Sequence, residues 1–335
     1  MLTKYSKPAG DVAAHSTMLL EQNAALLNKQ RRLSRALVNA PPRLTCIVCE
    51  SALGEGRILQ HRGLDYRACP ACGHVQSVAL APPGYPYQEQ DFADIYKPLD
   101  PVAYEDRRRR IYDPKRDWAL RAALEAGLGD LRAKSWLELG CGAGYFLDSL
   151  RAAGMGRVHG VEAEAPLVGQ ARERLGPGAV SHFMGALGQA VADHDADIYA
   201  AWFVLEHCFE TAAFLDALRR KPIGTVFLFS VPVFGFATLI EALGERHFAR
   251  NLDGVLHLQL FTDCSIRHAV ERAGFAIAAE WLFGQDADDL YRAVAATEVA
   301  GDEELARLSG LRDALQGLID RARLSDSRHI LAVKR

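Results

Sequence analysis

LELGCGAG, Leu137 to Gly144, decides the fold. The short apolar stretch SWLEL runs into glycines at 140, 142 and 144, and YFLDSLRAAG then carries helical spacing. This is a strand, a tight turn and a helix in succession. Glycine tolerates positive φ and lets a ligand approach the backbone closely. The next apolar stretch, RVHGVEA, places Glu162 at its end. An acidic residue about twenty positions on suits the two hydroxyls of a ribose. The turn is therefore predicted to hold a nucleoside.

Outward from this turn the pattern repeats. VSHFM, DIYAAWF and TVFLFSV follow with helical stretches between them, and FAIAAEWLF and HILAVKR close the chain. Such alternation predicts an α/β fold, a Rossmann-like doubly wound sheet with helices on both faces. The spacing then separates two nucleosides. A dinucleotide turn reads G-x-G-x-x-G, whereas this one reads G-x-G-x-G with Glu138 just before it. A carboxylate there repels a pyrophosphate but pairs with a cationic amino-acid end. S-adenosylmethionine has such an end.

Earlier in the chain, Cys46, Cys49, Cys69 and Cys72 form C-x2-C-x19-C-x2-C. Two turns presenting two sulfurs each match a tetrahedral zinc ribbon. The remaining cysteines, Cys141, Cys208 and Cys264, are scattered, and an odd count does not suggest a disulfide framework. RILQHRGLDYRAC between the pairs reads as strands around a turn at Gly63. So small a unit needs its metal to fold, so loss of one ligand is expected to unfold the front end and spare cofactor binding.

The rest of the chain divides around these two features. Residues 1–42 are read as a helical segment, 43–80 as the ribbon, 81–134 as a linker and helical cap, and 135–335 as the cofactor domain with a lid insertion at 232–262. Leucines recur every seven residues from Leu19 to Leu33, which fits either a helix docked on its own chain or a homodimer contact. Tyr85, Tyr87 and Tyr96 mark the linker. Asp113 and Pro114 look like the start of a helix whose inward face includes Trp118. No apolar run reaches a membrane span, and MLTKYSKPAGDVAAHS lacks the apolar core of a secretory signal, so a cytoplasmic protein is expected. A formal charge of -3 argues against broad nucleic-acid affinity.

On LELGCGAG, VHGVEA, ADIYAAWFVLEHCFE, GTVFLFSVP and HLQLFTDCSIRHAVERAGF, residues 135–335 resemble class I S-adenosylmethionine-dependent methyltransferases. With the ribbon, the whole chain resembles bacterial members that carry an N-terminal zinc-binding domain, some of which act on sugars. The resemblance implies a seven-stranded sheet whose closing strand is inserted antiparallel. It implies that Gly140, Gly142 and Gly144 shape the cofactor turn, that Glu138 supports the methionine end and that Glu162 holds the ribose. Trp202 or Phe203 would border the methyl-transfer centre. Many members carry an acidic residue after the third strand to meet adenine; Met184 stands there instead, so a backbone contact or its apolar side chain would serve.

A sugar hydroxyl is a poor nucleophile, and a histidine base would help it. His207, in VLEHCFE, is the first candidate and His257, before LQLFT, the second. The leading expectation is O-methylation of a sugar, nucleotide-sugar or glycan precursor, a small acceptor that can carry phosphate. Two alternatives are an RNA methyltransferase that grips RNA with its ribbon and a non-catalytic methyltransferase-like scaffold. The cofactors expected are S-adenosylmethionine and a structural Zn²⁺.

Overall fold

The computed structural model describes residues 1–7, 23–80, 100–252, 254, 257–297 and 299–335. Tyr85, Tyr87 and Tyr96 lie outside the described residues. The strands are β1 Leu2–Tyr5, β2 Arg57–His61, β3 Leu64–Ala68, β4 Val75–Ser77, β5 Trp136–Leu139 and β6 Val158–Glu162. They continue as β7 Val180–His182, β8 Ile198–Trp202, β9 Val226–Pro232, β10 Gln259–Leu260, β11 Phe275–Phe283 and β12 Ser327–Lys334. The helices used below are α1 Asn23–Leu37, α2 Pro101–Arg107, α3 Asp113–Glu125, α4 Tyr145–Ala152, α5 Thr211–Arg219 and α6 Phe236–Leu243.

The main sheet runs β1-β11-β12-β9-β8-β5-β6-β7. Strands β5 to β9 are parallel, and β12 is inserted antiparallel between β9 and β11. The closing strand thus lies as expected. The sheet has eight strands rather than seven, because β1 pairs parallel with β11 at the edge. The strand order reverses between β5 and β8, which opens a crevice at their carboxyl ends. Burial is nearly continuous along β5, β8 and β9, as befits parallel strands covered on both faces.

A second, antiparallel sheet has the order β10-β4-β3-β2. Its β2–β3 hairpin turns at Arg62 and Gly63, both at positive φ (49° and 82°), which matches the twist of a tight hairpin. Its fourth strand comes from the distant 232–262 excursion, so ribbon and excursion share one sheet. Further ties reinforce this. Arg62 Nη2 donates to the carbonyls of Glu245 (2.9 Å) and Phe248 (3.0 Å), and Thr262 Oγ1 donates to Gly73 O (3.0 Å). Helix α1 docks on the same excursion, with Leu27, Leu33 and Leu37 buried and Gln30 bonded to the buried Glu241 at 3.2 Å.

The ribbon also joins the main core. Cys46, Ile47, Val48, Cys69 and Cys72 belong to the same apolar cluster as Phe214, Leu218, Phe227 and Phe261. Arg272 pairs with Glu50 at 2.7 Å and donates to Val48 O at 3.2 Å.

Residues 101–125 are helical without a break. A π turn at Arg108–Tyr112 joins α2 to α3, so Asp113 follows residues that are already helical and does not cap the helix through its side chain. Its carboxylate instead accepts from Arg108 (2.9 Å), Arg116 (3.0 Å) and Ser149 Oγ (2.5 Å). In the basic stretch Arg107–Arg110, Arg108 is buried among carboxylates, whereas Arg109 and Arg110 are exposed and pair one helical turn back. No helix among the described residues is long and apolar enough to cross a membrane.

Candidate active site

Strand β5 delivers the glycine turn to the crevice. Gly140, Gly142 and Gly144 all have positive φ (65°, 54° and 78°). At Gly140 a Cβ would sit 2.9 Å from Val204, and at Gly144 it would sit 2.8 Å from Leu175. At Gly142 a Cβ would meet nothing within 4 Å. Two glycines are therefore required by packing, and the third leaves open space above the backbone.

Two carboxylates flank the turn. Glu138 is buried, and its Oε2 has no hydrogen-bond partner among the described residues. Desolvation pushes its carboxyl well above the usual range, with Lys115 opposing and Glu162 adding to the shift. Glu162, half-buried at the end of β6, accepts from Gly142 N (2.7 Å), Ala163 N (2.8 Å) and Glu164 N (3.0 Å). It thereby reaches across from β6 to the turn after β5.

Lys115 is a site residue that sequence reading missed. It sits on α3, is buried, and places Nζ 4.9 Å from the Tyr112 ring, 5.5 Å from Trp202 and 5.6 Å from Phe203. Burial pulls its pKa down to about 7; nearby Lys7 and Arg107 lower it further, while Glu138 opposes the shift. A lysine in an amphipathic helix ordinarily reads as a surface residue, so nothing in the local pattern marked it. The helical cap carrying it is pinned over the turn. Tyr104 stacks on Tyr145 at 4.2 Å, and Arg116 donates to Ser149 O at 2.9 Å.

Strand β8 delivers the other wall. Trp202 is buried, and its Nε1 has no hydrogen-bond partner among the described residues. Phe203 follows at φ 56°, a costly conformation for an aromatic residue and one that clusters at functional sites. Its amide is held by Ser230 O at 3.2 Å. Beneath them lies His329 of β12, buried, bonded to Ser230 Oγ and 5.2 Å from the Trp202 ring. Burial keeps its imidazole neutral.

The next turn, Leu205–His207, brings His207 beside His257, with ring centroids 5.1 Å apart. Burial pulls His257 down to about 4. Glu206, with a carboxylate oxygen within 4.8 Å of a ring nitrogen of each, is 1% exposed, and desolvation pushes its carboxyl up to about 8. The two histidines chosen from sequence thus share one place. Met184 is 73% exposed on the loop after β7. Arg250, near His247, is engaged by Asp289 (3.1 Å) and Asp326 (2.9 Å) rather than offered to solvent.

The four ribbon cysteines converge separately. Cys46 and Cys72 sulfurs are 3.6 Å apart, Cys49 and Cys69 sulfurs 3.5 Å, and no disulfide joins them. A tetrahedron of 2.3 Å metal–sulfur bonds has edges of about 3.8 Å, so the spacing fits. A cavity of about 230 Å³ lined by Leu128, Leu131, Asp197, Ile198 and Val226 lies at the opposite, amino-terminal ends of the strands. It is away from every group above, and ligands of such sheets bind at the carboxyl ends.

The profile of a methyltransferase-domain family matches residues 105–280. That span is more than half of the chain, and the chain belongs to this family. With the Rossmann-like sheet and the glycine turn at its switch point, the protein is an S-adenosylmethionine-dependent methyltransferase. Among solved structures, it is similar to the magnesium protoporphyrin IX methyltransferase of Synechocystis with bound S-adenosylhomocysteine. The identity is 16%, the match covers 73% of this chain and 94% of that one, and the TM-score is 0.44. An S-adenosylmethionine-dependent methyltransferase from Mesorhizobium loti matches at 18% identity over 64% of this chain and 98% of that one, with a TM-score of 0.41. No curated protein matches.

Proposed function

We propose that this enzyme methylates an oxygen of a small acceptor, a sugar, nucleotide-sugar or glycan precursor. The observation that carries this reading is the imidazole pair formed where His257 of the excursion meets His207 just past β8, at the carboxyl end of the sheet that also carries Glu138 on β5 and Glu162 on β6. A hydroxyl acceptor needs a base, and His207, backed by His257, supplies one. The acceptor oxygen forms the new O–CH₃ bond while the methyl–sulfur bond breaks with its pair to sulfur, and the O–H proton passes to the base.

In this reading Gly140, Gly142 and Gly144 shape the cofactor turn, with the open space above Gly142 left for the ligand. Glu162 exchanges its backbone amides for ribose hydroxyls. The methionine end is a zwitterion and needs one anion and one cation; Glu138 and Lys115 provide them. Trp202 and Phe203 border the transferring methyl, and exposed Met184 lies along adenine. Cys46, Cys49, Cys69 and Cys72 hold a structural Zn²⁺, which leaves no open position for substrate. Residues 43–80 act as the ribbon, 81–134 as linker and cap, 135–335 as the cofactor domain, and 232–262 as the wall over the acceptor.

The test is methyl transfer from labelled S-adenosylmethionine to a panel of nucleotide-sugars, with structured RNA assayed beside it. Labelled sugar supports the reading, and exclusive labelling of RNA overturns it. Glu162→Ala should weaken cofactor affinity by about 10- to 100-fold, the size of one or two charge-assisted hydrogen bonds. Near-normal affinity by calorimetry refutes the ribose assignment.

A further inference from the structure

Glu206, His207 and His257 are more than a pair of bases with a neighbour. Their donor atoms, one carboxylate oxygen and two ring nitrogens, all lie within 4.8 Å of one another. Metal bonds of about 2.0–2.2 Å would draw them together by small side-chain rotations. The backbone holds the two segments in register for this. Leu258 N donates to Glu206 O at 3.2 Å, and Gln259 Nε2 donates to Cys208 O at 3.0 Å and to Thr211 Oγ1 at 2.9 Å. The excursion residue His257 is thereby fixed beside the turn after β8.

Glu206 supplies a second, independent observation. Its side chain is buried, its Oε2 has no hydrogen-bond partner, and it makes no ion pair among the described residues. A buried carboxylate left so is costly unless a cation offsets it. Among the described residues no lysine or arginine does so, whereas two imidazoles, which ligate metals in their neutral form, lie within reach of it. The two histidines are half-buried, so positions on the ion beyond the three protein ligands remain reachable.

We propose that Glu206, His207 and His257 form a divalent-cation site, built from residues other than the four cysteines, that holds the acceptor's oxygen. A set of two imidazoles and one carboxylate suits Mn²⁺, Fe²⁺, Co²⁺ or Zn²⁺ better than an ion that prefers all-oxygen ligands. Its role toward the acceptor rests on the cleft reading above; the binding of the ion does not. An oxygen held by a divalent ion loses its proton more readily; with the ion bound, both imidazoles are ligands, so the ion replaces the base assigned to His207 above and the proton passes to water.

The experiment uses the full chain with its ribbon loaded with zinc. MnCl₂ and, separately, CoCl₂ are titrated in, and bound ion is read by water-proton relaxation and by visible absorption, without acceptor or cofactor. One saturable site per chain is expected. Glu206→Gln and His257→Gln should each weaken it by at least about tenfold, while zinc content and cofactor affinity stay at wild-type levels and mark both variants as folded. No saturable binding of either ion to the wild type, or undiminished binding by both variants, overturns the proposal. Because this readout involves no methyl transfer, its failure leaves the cofactor cleft standing, and failure of the sugar assay leaves the ion result standing.

Discussion

Lys115 shows how a single buried charge reports on the site. Its folded pKa lies near 7, below the ordinary lysine value of 10.5. Between those values the unfolded chain binds the extra proton, so stability rises with pH from about 7 to about 10.5. Lys115→Met removes this dependence. The variant's denaturation midpoint should be higher near pH 7 than the wild type's, by an amount equivalent to a few kcal/mol at most (about 1–4), and flatter with pH. If Lys115 also meets the methionine carboxylate, the same variant binds cofactor about tenfold more weakly, a split that a purely structural lysine would not give. The glycines divide in the same manner. Gly140→Ala drives a Cβ to within 2.9 Å of Val204 at φ 65° and should cost about 1–3 kcal/mol of stability. Gly142→Ala meets open space, so its larger effect should fall on cofactor affinity, measured by calorimetry beside a melting curve.

At the scale of elements, the ribbon and the 232–262 excursion form one unit. Read as sequence, the ribbon is a separate metal-folded piece whose loss would spare the cofactor domain. Its cysteines instead share an apolar cluster with α5, β9 and Phe261, and β10 completes its sheet. Cys46→Ser should therefore lower the melting midpoint of the whole chain, by on the order of 5–10 °C, in one transition. Scanning calorimetry that resolved a separate early transition, with the main one unmoved, would count against this coupling. The strand–turn–helix at 136–152, the cysteine pairs and the closing strand β12 were legible because each has a local signature, a glycine spacing, a ligand spacing and an apolar run; the antiparallel insertion of β12 came from the family resemblance alone. The π turn at Arg108–Tyr112, the burial of Lys115 and the pairing of β10 with β4 were not. Each depends on partners dozens to nearly two hundred residues away, and local periodicity carries no record of them.

For the whole molecule, eight strands in the order described place every candidate group at one end of the sheet. Glu138, Glu162 and Trp202 come from the carboxyl ends of neighbouring strands β5, β6 and β8, so the cleft follows directly from the reversal of strand order between β5 and β8. His207 and His257 were singled out in the sequence because the first belongs to the Leu-Glu-His segment of the family resemblance, just past β8, and the second precedes the apolar stretch LQLFT. That the two meet was not readable, since the excursion's return path is fixed by Gln259 and the ribbon. The first strand was also invisible. LTKY is four residues with no alternation strong enough to mark it, and only its first residue is even half-buried.

That short strand has a consequence for how the protein behaves in concentrated solution. Without it, β11 (FAIAAEWLF) would present nine residues of largely apolar backbone edge, the kind of template on which copies of a chain stick to one another. β1 occupies four of those positions, Ser6 N extends the pairing to Leu282 O at 2.8 Å, and Lys4 lays its ammonium 3.4 Å over the Trp281 ring. The new outer edge is short and carries a charge, which discourages further growth. A variant lacking residues 1–6 should keep cofactor affinity yet scatter light increasingly with concentration and time, and Lys4→Val in the full chain should show a milder form of the same tendency. Unchanged, monodisperse scattering from the shortened chain would mean that β11 is guarded by something other than the strand beside it.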